Sequence, residues 1–268
     1  MVQNDRKIYY TLRVAAAMCF IGHGSFGIIT KEIWCNYFGV FGIGHNVAYI
    51  LMPWLGAIDV LMGISLLIYP LRIVVWWLVA WSIVTALLRP LSGEPFAEFI
   101  ERAGNFGAPL TLLILCGNGV QGIKGAFRLL KPADNITPEI LAKVINCLKA
   151  VVFLLLIGHG WLNLIEKNGI MGQYVALGFS NPALVAHIAG IFEVLAACTV
   201  LVRPLRPLIF AFFIWKVGTE LLYPHWELFE FIERGGSYGA LLALWFALGQ
   251  TTATGRANGY LSVQQPVV

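Results

Sequence analysis

The residues most able to do chemistry come in two matched sets. The phrase Ile-Gly-His-Gly occurs at Ile21 to Gly24 and again at Ile157 to Gly160, and each copy is followed by an acid inside an apolar run, Asp59 and Glu193. A Pro-Leu-Arg turn comes next (Pro70 to Arg72, Pro204 to Arg206), then the identical Glu-Phe-Ile-Glu-Arg at Glu98 to Arg102 and Glu230 to Arg234. The offsets between copies are 136, 134 and 132 residues, so the second copy is shortened by two small deletions. Recurrence in a fixed order reads as an internal duplication.

Histidine is the side chain whose charge changes near neutral pH. Two neutral imidazoles at one depth suit bis-histidine haem b, a metal shared between the rings, or hydrogen bonds to the two carbonyls of a quinone. His23 and His159 are therefore the candidate cofactor ligands, and their flanking glycines leave room for a flat ligand or another helix backbone. Asp59 and Glu193 are the candidate proton-handling, catalytic residues. A carboxylate in mid-membrane costs about 2.5–3.5 kcal/mol on insertion scales, so each is expected to be protonated or paired. Candidate partners are the histidine of the same copy, Arg89, and Lys216 with Glu220. Arg89, Glu101 and Glu233 are further cofactor-binding candidates, at the mouth of a cavity above the histidines. His45, His187 and His225 do not match one another under the offsets and read as packing or interfacial residues.

These residues need elements that hold them in lipid. With 59% hydrophobic and 12% charged residues, and a positive mean hydropathy, the composition is that of a polytopic membrane protein. Eight spans are predicted, near 8–29, 46–69, 72–88, 105–124, 143–165, 182–202, 205–222 and 235–250. The first is kept as a helix rather than a cleaved signal, because no small-x-small site closes it and its counterpart lies mid-chain. An even number of spans per copy gives both copies one orientation, as in parallel-repeat transporters. The expected fold is all-α: two parallel four-helix repeats, 1–131 and 143–250, joined by a cytoplasmic linker at 132–142 and followed by a disordered tail, 251–268. Placing the N-terminus inside puts 12 of the 18 Lys and Arg on the cytoplasmic side, so both termini are predicted there. The net charge of +4 follows from that bias, and nothing points to nucleic acid. Around Glu98 and Glu230, acids and aromatics at helical spacing predict short amphipathic helices lying flat on the outer surface. The tryptophans are expected to anchor at the interfaces. The five cysteines contain no CxxC and do not recur between copies, so a thiol relay or cysteine metal site is not expected.

An acid in the second span followed by small residues, a Pro/Arg turn, and a last span after a polar outer loop together resemble the DoxX-like four-helix membrane family, here as two units in tandem. Members of that wider group are associated with thiosulfate:quinone oxidoreduction, redox-partner maturation and membrane trafficking, and the family-like acid corresponds to Asp59 and Glu193. Three functions follow as expectations. The first is a redox component of a bacterial inner membrane, holding quinone or haem between the repeats and meeting partner redox or respiratory subunits. The second is a proton- or cation-coupled transporter, and the third a non-catalytic scaffold.

Overall fold

A computed structural model describes residues 3–117, 122–131, 136–221 and 228–263. His225, Trp226 and the start of the linker, 132–135, lie outside them. The order is α1 (Gln3–Ile28), α2 (Trp34–Gly39), α3 (His45–Ile68), α4 (Arg72–Leu91), α5 (Ala97–Glu101), α6 (Ala103–Leu115), α7 (Gly122–Ala126), α8 (Pro138–Leu164), α9 (Asn168–Ala176), α10 (Pro182–Val202), α11 (Arg206–Leu221), α12 (Leu228–Glu233) and α13 (Gly235–Val263). No strand occurs among the described residues; Leu71 and Leu129 form one isolated bridge.

Five helices (residues Asp5–Ile28 of α1, and α3, α4, α8 and α10) are long and apolar enough to cross a membrane, which fits a bilayer environment. The other predicted spans are shorter or more polar. The apolar helix α6 has only 13 residues. Its C-cap is Cys116, and the next residue, Gly117, has a φ of +79°. The 16 residues of α11 include buried Lys216 and Glu220. The helix α8 starts inside the expected linker, because Pro138 occupies its first turn and the Thr137 side chain accepts a hydrogen bond from Ile140 N. Asn181 and Pro182 start α10 in the same way. At its far end the backbone of α13 continues to Val263, into the stretch expected to be a tail.

The helices α1, α6, α8 and α13 pack on one another at the centre, with α3 against α1, α10 against α8, α4 against α6 and α11 against α13. Ile8, Leu12, Leu112, Leu148, Leu155 and Leu244 fill the core between the central four. The outer helices bury only a stripe. In α3 this stripe is Met52, Gly56, Asp59, Gly63 and Leu66, and in α10 it is Ala186, Gly190, Glu193, Ala197 and Val200. Those positions are offset by 134 residues throughout. The opposite faces expose Ile50, Trp54 and Leu61, and Ile188, Leu195 and Val202, as helices facing lipid do. Asp59 and Glu193 are thus the acids in two narrow, otherwise small and apolar, inward-facing stripes.

The short helix α5 departs from expectation. Instead of lying flat on the surface, α5 is inserted against α8, with Ala97, Glu98 and Glu101 buried. A Cβ on Gly158 would run into the backbone N of Glu101, and one on Gly22 would meet that of Glu233 in α12. The glycine before each histidine is therefore a notch for the short helix from the other half of the chain. The amphipathic pattern marked a polar face correctly, but that face meets half-buried arginines rather than open water. Overpacking these notches is expected to cost about 1–3 kcal/mol or more. Gly22→Val and Gly158→Val should each lower the thermal midpoint in detergent. Gly169→Ala, a position with open space around it, should leave the midpoint unchanged.

Candidate functional site

In each half the buried stripe brings the acid to the histidine of its own copy. His23 Nδ1 lies 2.9 Å from Asp59 Oδ2, and His159 Nδ1 lies 2.5 Å from Glu193 Oε2. The acids are almost fully buried, whereas the imidazole side chains keep 20% and 18% exposure, so each ring stands between a buried charge and open space. A tryptophan completes each group. Trp81 Nε1 donates to Asp59 Oδ2 at 3.3 Å, and Trp215 Nε1 donates to Glu193 Oε1 at 3.1 Å. The expectation that these two indoles anchor at the membrane surface is corrected here: their N–H groups satisfy carboxylates that would otherwise be short of donors. The signal was in the sequence, since Trp81 and Trp215 are separated by the same 134 residues as the acids.

The two groups are not identical. Lys216 Nζ lies 3.8 Å from Glu193 Oε1, is fully buried and has no hydrogen-bond partner among the described residues. Its counterpart in the first copy is Ser82, whose hydroxyl bonds back to Leu78 O. Glu220 likewise corresponds to Ala86, and Asn163 to Gly27. Asn163 donates to His159 O at 3.0 Å and accepts from Tyr174 Oη at 2.8 Å. In the first copy the Trp34 ring packs on His23 with centroids 4.6 Å apart.

Arg89, one of the candidate partners of Asp59, pairs instead with Glu94 at 3.3 Å and Glu98 at 3.4 Å. It belongs to a lattice of charges lying between the two groups. Arg102 bonds Glu98 at 2.5 Å and Glu101 at 3.0 Å. Arg234 bonds Glu101 across the two halves and pairs with Glu220 at 3.3 Å. Lys167 faces Glu98, and Tyr37 Oη donates to Glu94 at 2.5 Å. Burial by itself would raise the Glu101 carboxyl, but the Arg234 and Arg102 guanidiniums overcome it and hold the group well below the ordinary carboxylate range. Burial lowers the Lys167 ammonium. Glu233 differs from its counterpart Glu101, having no hydrogen bond or ion pair to a described residue. Of the remaining histidines, His187 sits 3.6 Å from Glu166 in an exposed pair, and His45 is exposed at the start of α3.

Two cavities flank this lattice. The larger, about 650 Å³, is lined by His159, Glu193, Trp215, Tyr174 and Glu220 together with the lattice charges. The smaller, about 340 Å³, holds His23, Asp59 and Trp81 among apolar side chains. Trp34, Arg89, Arg102 and Glu233 line both. The histidines thus line different cavities, each tied through Nδ1 to its own acid. One bis-histidine haem would need both rings on one iron, and this arrangement does not serve it. No cluster of three or more His, Cys, Asp or Glu able to hold a metal occurs among the described residues. The rings suit hydrogen bonding to a separate ligand in each cavity. Compared with known proteins, the chain matches no family model, no curated protein and no solved structure.

Removing one member of a buried ion pair leaves an uncompensated charge, at a cost of about 3–5 kcal/mol. Arg234→Met, which takes the arginine from buried Glu220 and leaves Glu101 with Arg102 alone, should show a loss of that order or somewhat less by denaturation in detergent. Lys143→Met, which breaks an exposed pair with Glu139, should leave the denaturation curve essentially unchanged. The sign with pH follows from Glu101, whose folded-state pKa is depressed. Its stabilisation is complete above the ordinary carboxylate value of 4.5 and is lost as pH falls toward the depressed value. The midpoint should drop on acidification from pH 7 to about pH 3, and drop less steeply in Arg234→Met.

Proposed function

We propose that the chain is an eight-span integral membrane protein of DoxX-like kind, built as two parallel four-helix repeats, and that it binds quinone as a component of a membrane redox system. The observation carrying this reading is the repeated histidine–acid–tryptophan group, each copy opening on a cavity. The repeat arrangement is supported by Gly104 and Gly236, counterparts that touch each other as residues beside a twofold axis must. It is also supported by the reciprocal seating of α5 and α12 on Gly158 and Gly22. The Lys/Arg distribution favours cytoplasmic termini, with the histidines in the outer half; a bacterial plasma membrane is part of the same proposal.

In this reading the carboxylate fixes each imidazole through Nδ1 and stabilises it when protonated, leaving Nε2 as the ring's polar atom for a ligand. A quinone carbonyl accepts a hydrogen bond from a protonated imidazole. Its conversion to quinol takes up two electrons and two protons: the electrons come from a partner redox subunit, and the histidine–acid groups handle the protons. Arg89, Glu101 and Glu233 form the wall between the two sites. Quinone is the better fit of the two cofactors considered, since haem b would require the rings to converge.

A proton- or cation-coupled carrier is a second reading, favoured by the concentration of glutamates around the larger cavity. The two separate experimentally. Purified protein should carry extractable quinone, seen by mass spectrometry of the organic extract, and His23→Ala with His159→Ala should reduce it at least tenfold. No quinone in the wild type, together with uptake of a substrate into vesicles that Glu193→Gln abolishes, would replace the redox reading with the carrier.

A further inference from the structure

The two histidine–acid groups are matched, but the walls opposite them are not, and the difference assigns the ligand. Six aromatic side chains, Trp34, Tyr37, Phe38, Phe41, Trp54 and Trp81, line the smaller cavity with the His23–Asp59 pair, and its other charged residues, Arg89, Arg102 and Glu233, all belong to the wall it shares with the larger one. Its volume of about 340 Å³ lies within the range of small-molecule sites, which are typically apolar enclosures with a few placed polar groups. Aromatic walls offer stacking and edge contacts to a flat conjugated ring, and His23 with Arg89 offers donors to its oxygens.

The entrance points to the bilayer. Phe41 and Trp54 line this cavity and are 63% and 71% exposed, and Trp54 stands on the apolar face that α3 turns outward between Ile50 and Leu61. A lipid-soluble molecule arriving through that face keeps its tail in hydrocarbon while its ring enters. The larger cavity is built for something else. Glu220 lines it where the smaller cavity has Ala86, and Lys216 stands at Glu193 where the first copy has Ser82. Glu98, Glu101, Glu230, Arg234 and Lys167 complete a charged lining. Seating an apolar ring there would desolvate those charges without replacing their water.

Resting on the quinone reading above, we infer that the smaller cavity, at His23 and Asp59, is the quinone site, with the ring between its aromatic walls and the tail leaving past Phe41 and Trp54. The site around His159 and Glu193 does not take the quinone.

Thr85 and Thr219, 134 residues apart, give a matched test, since each lines its own cavity. The full chain in detergent is titrated with a short-chain benzoquinone and the quenching of tryptophan emission is followed. Thr85→Phe should weaken binding at least tenfold, and Thr219→Phe should change it less than twofold. Equal losses, or loss only in Thr219→Phe, overturn the assignment while leaving quinone binding intact. Absence of saturable quenching in the wild type overturns the quinone reading itself. A second measurement needs no variant. An azido-benzoquinone photolabel on the wild type should mark peptides containing Phe38, Phe41 or Trp54, and labelling confined to Gln173 and Leu177 would place the ring in the larger cavity.

Discussion

A carboxylate deep in an apolar helix must find charge or donors nearby, and that constraint organises this molecule. Asp59 and Glu193 each lie on the single inward stripe of an otherwise lipid-facing helix. Each is met by an indole N–H from the helix that follows it in the chain and by an imidazole from the central bundle. The glycines on α1 and α8 follow from the same requirement. With Gly24 against Gly56 and Gly160 against Gly190, the helix axes come close enough for a short acid to reach a histidine. Bulkier residues at those crossings would separate the helices and leave the carboxylates unpaired.

The second layer of charge works by the same rule at larger scale. Glu98 and Glu101 are buried because arginines arrive from α4, from the residue after α5 and, through Arg234, from the other half of the chain. Glu101 therefore links the halves electrostatically where Gly158 and Gly22 link them sterically. Buried lattices of this kind are poor sources of net stability but penalise wrong arrangements heavily, because any misplacement strands a charge.

Much of this was legible in the sequence. Recurrence singled out His23, His159, Asp59 and Glu193, and the same-copy pairing of acid with histidine was among the partners it offered. The residues Glu98 to Arg102 were less legible. Their spacing gives an amphipathic helix, yet spacing alone does not tell a polar face that meets water from one that meets arginines, and only the notch at Gly158 decides it. Trp81 and Trp215 were misread because indoles serve both as surface anchors and as buried donors, and composition does not separate the two uses. The single cavity expected between the histidines is in fact two, since Trp34, Arg89, Arg102 and Glu233 stand where a shared ligand would have to lie.

The departures from symmetry carry as much meaning as the symmetry. Two equivalent sites would have matching walls, yet serine faces lysine, alanine faces glutamate and glycine faces asparagine across the offset. Each of these three exchanges gives the second site the larger and more polar side chain. The histidine–acid–tryptophan group, in contrast, changes only by the one methylene that separates aspartate from glutamate. Here the group stays intact while the buried Lys216 and Glu220 are accommodated, the glutamate by Arg234 and the lysine beside Glu193. A buried amine without a hydrogen bond is costly to keep. Its place beside Glu193 sets the second group apart from the first, where Ser82 stands at that position and bonds back to Leu78 O.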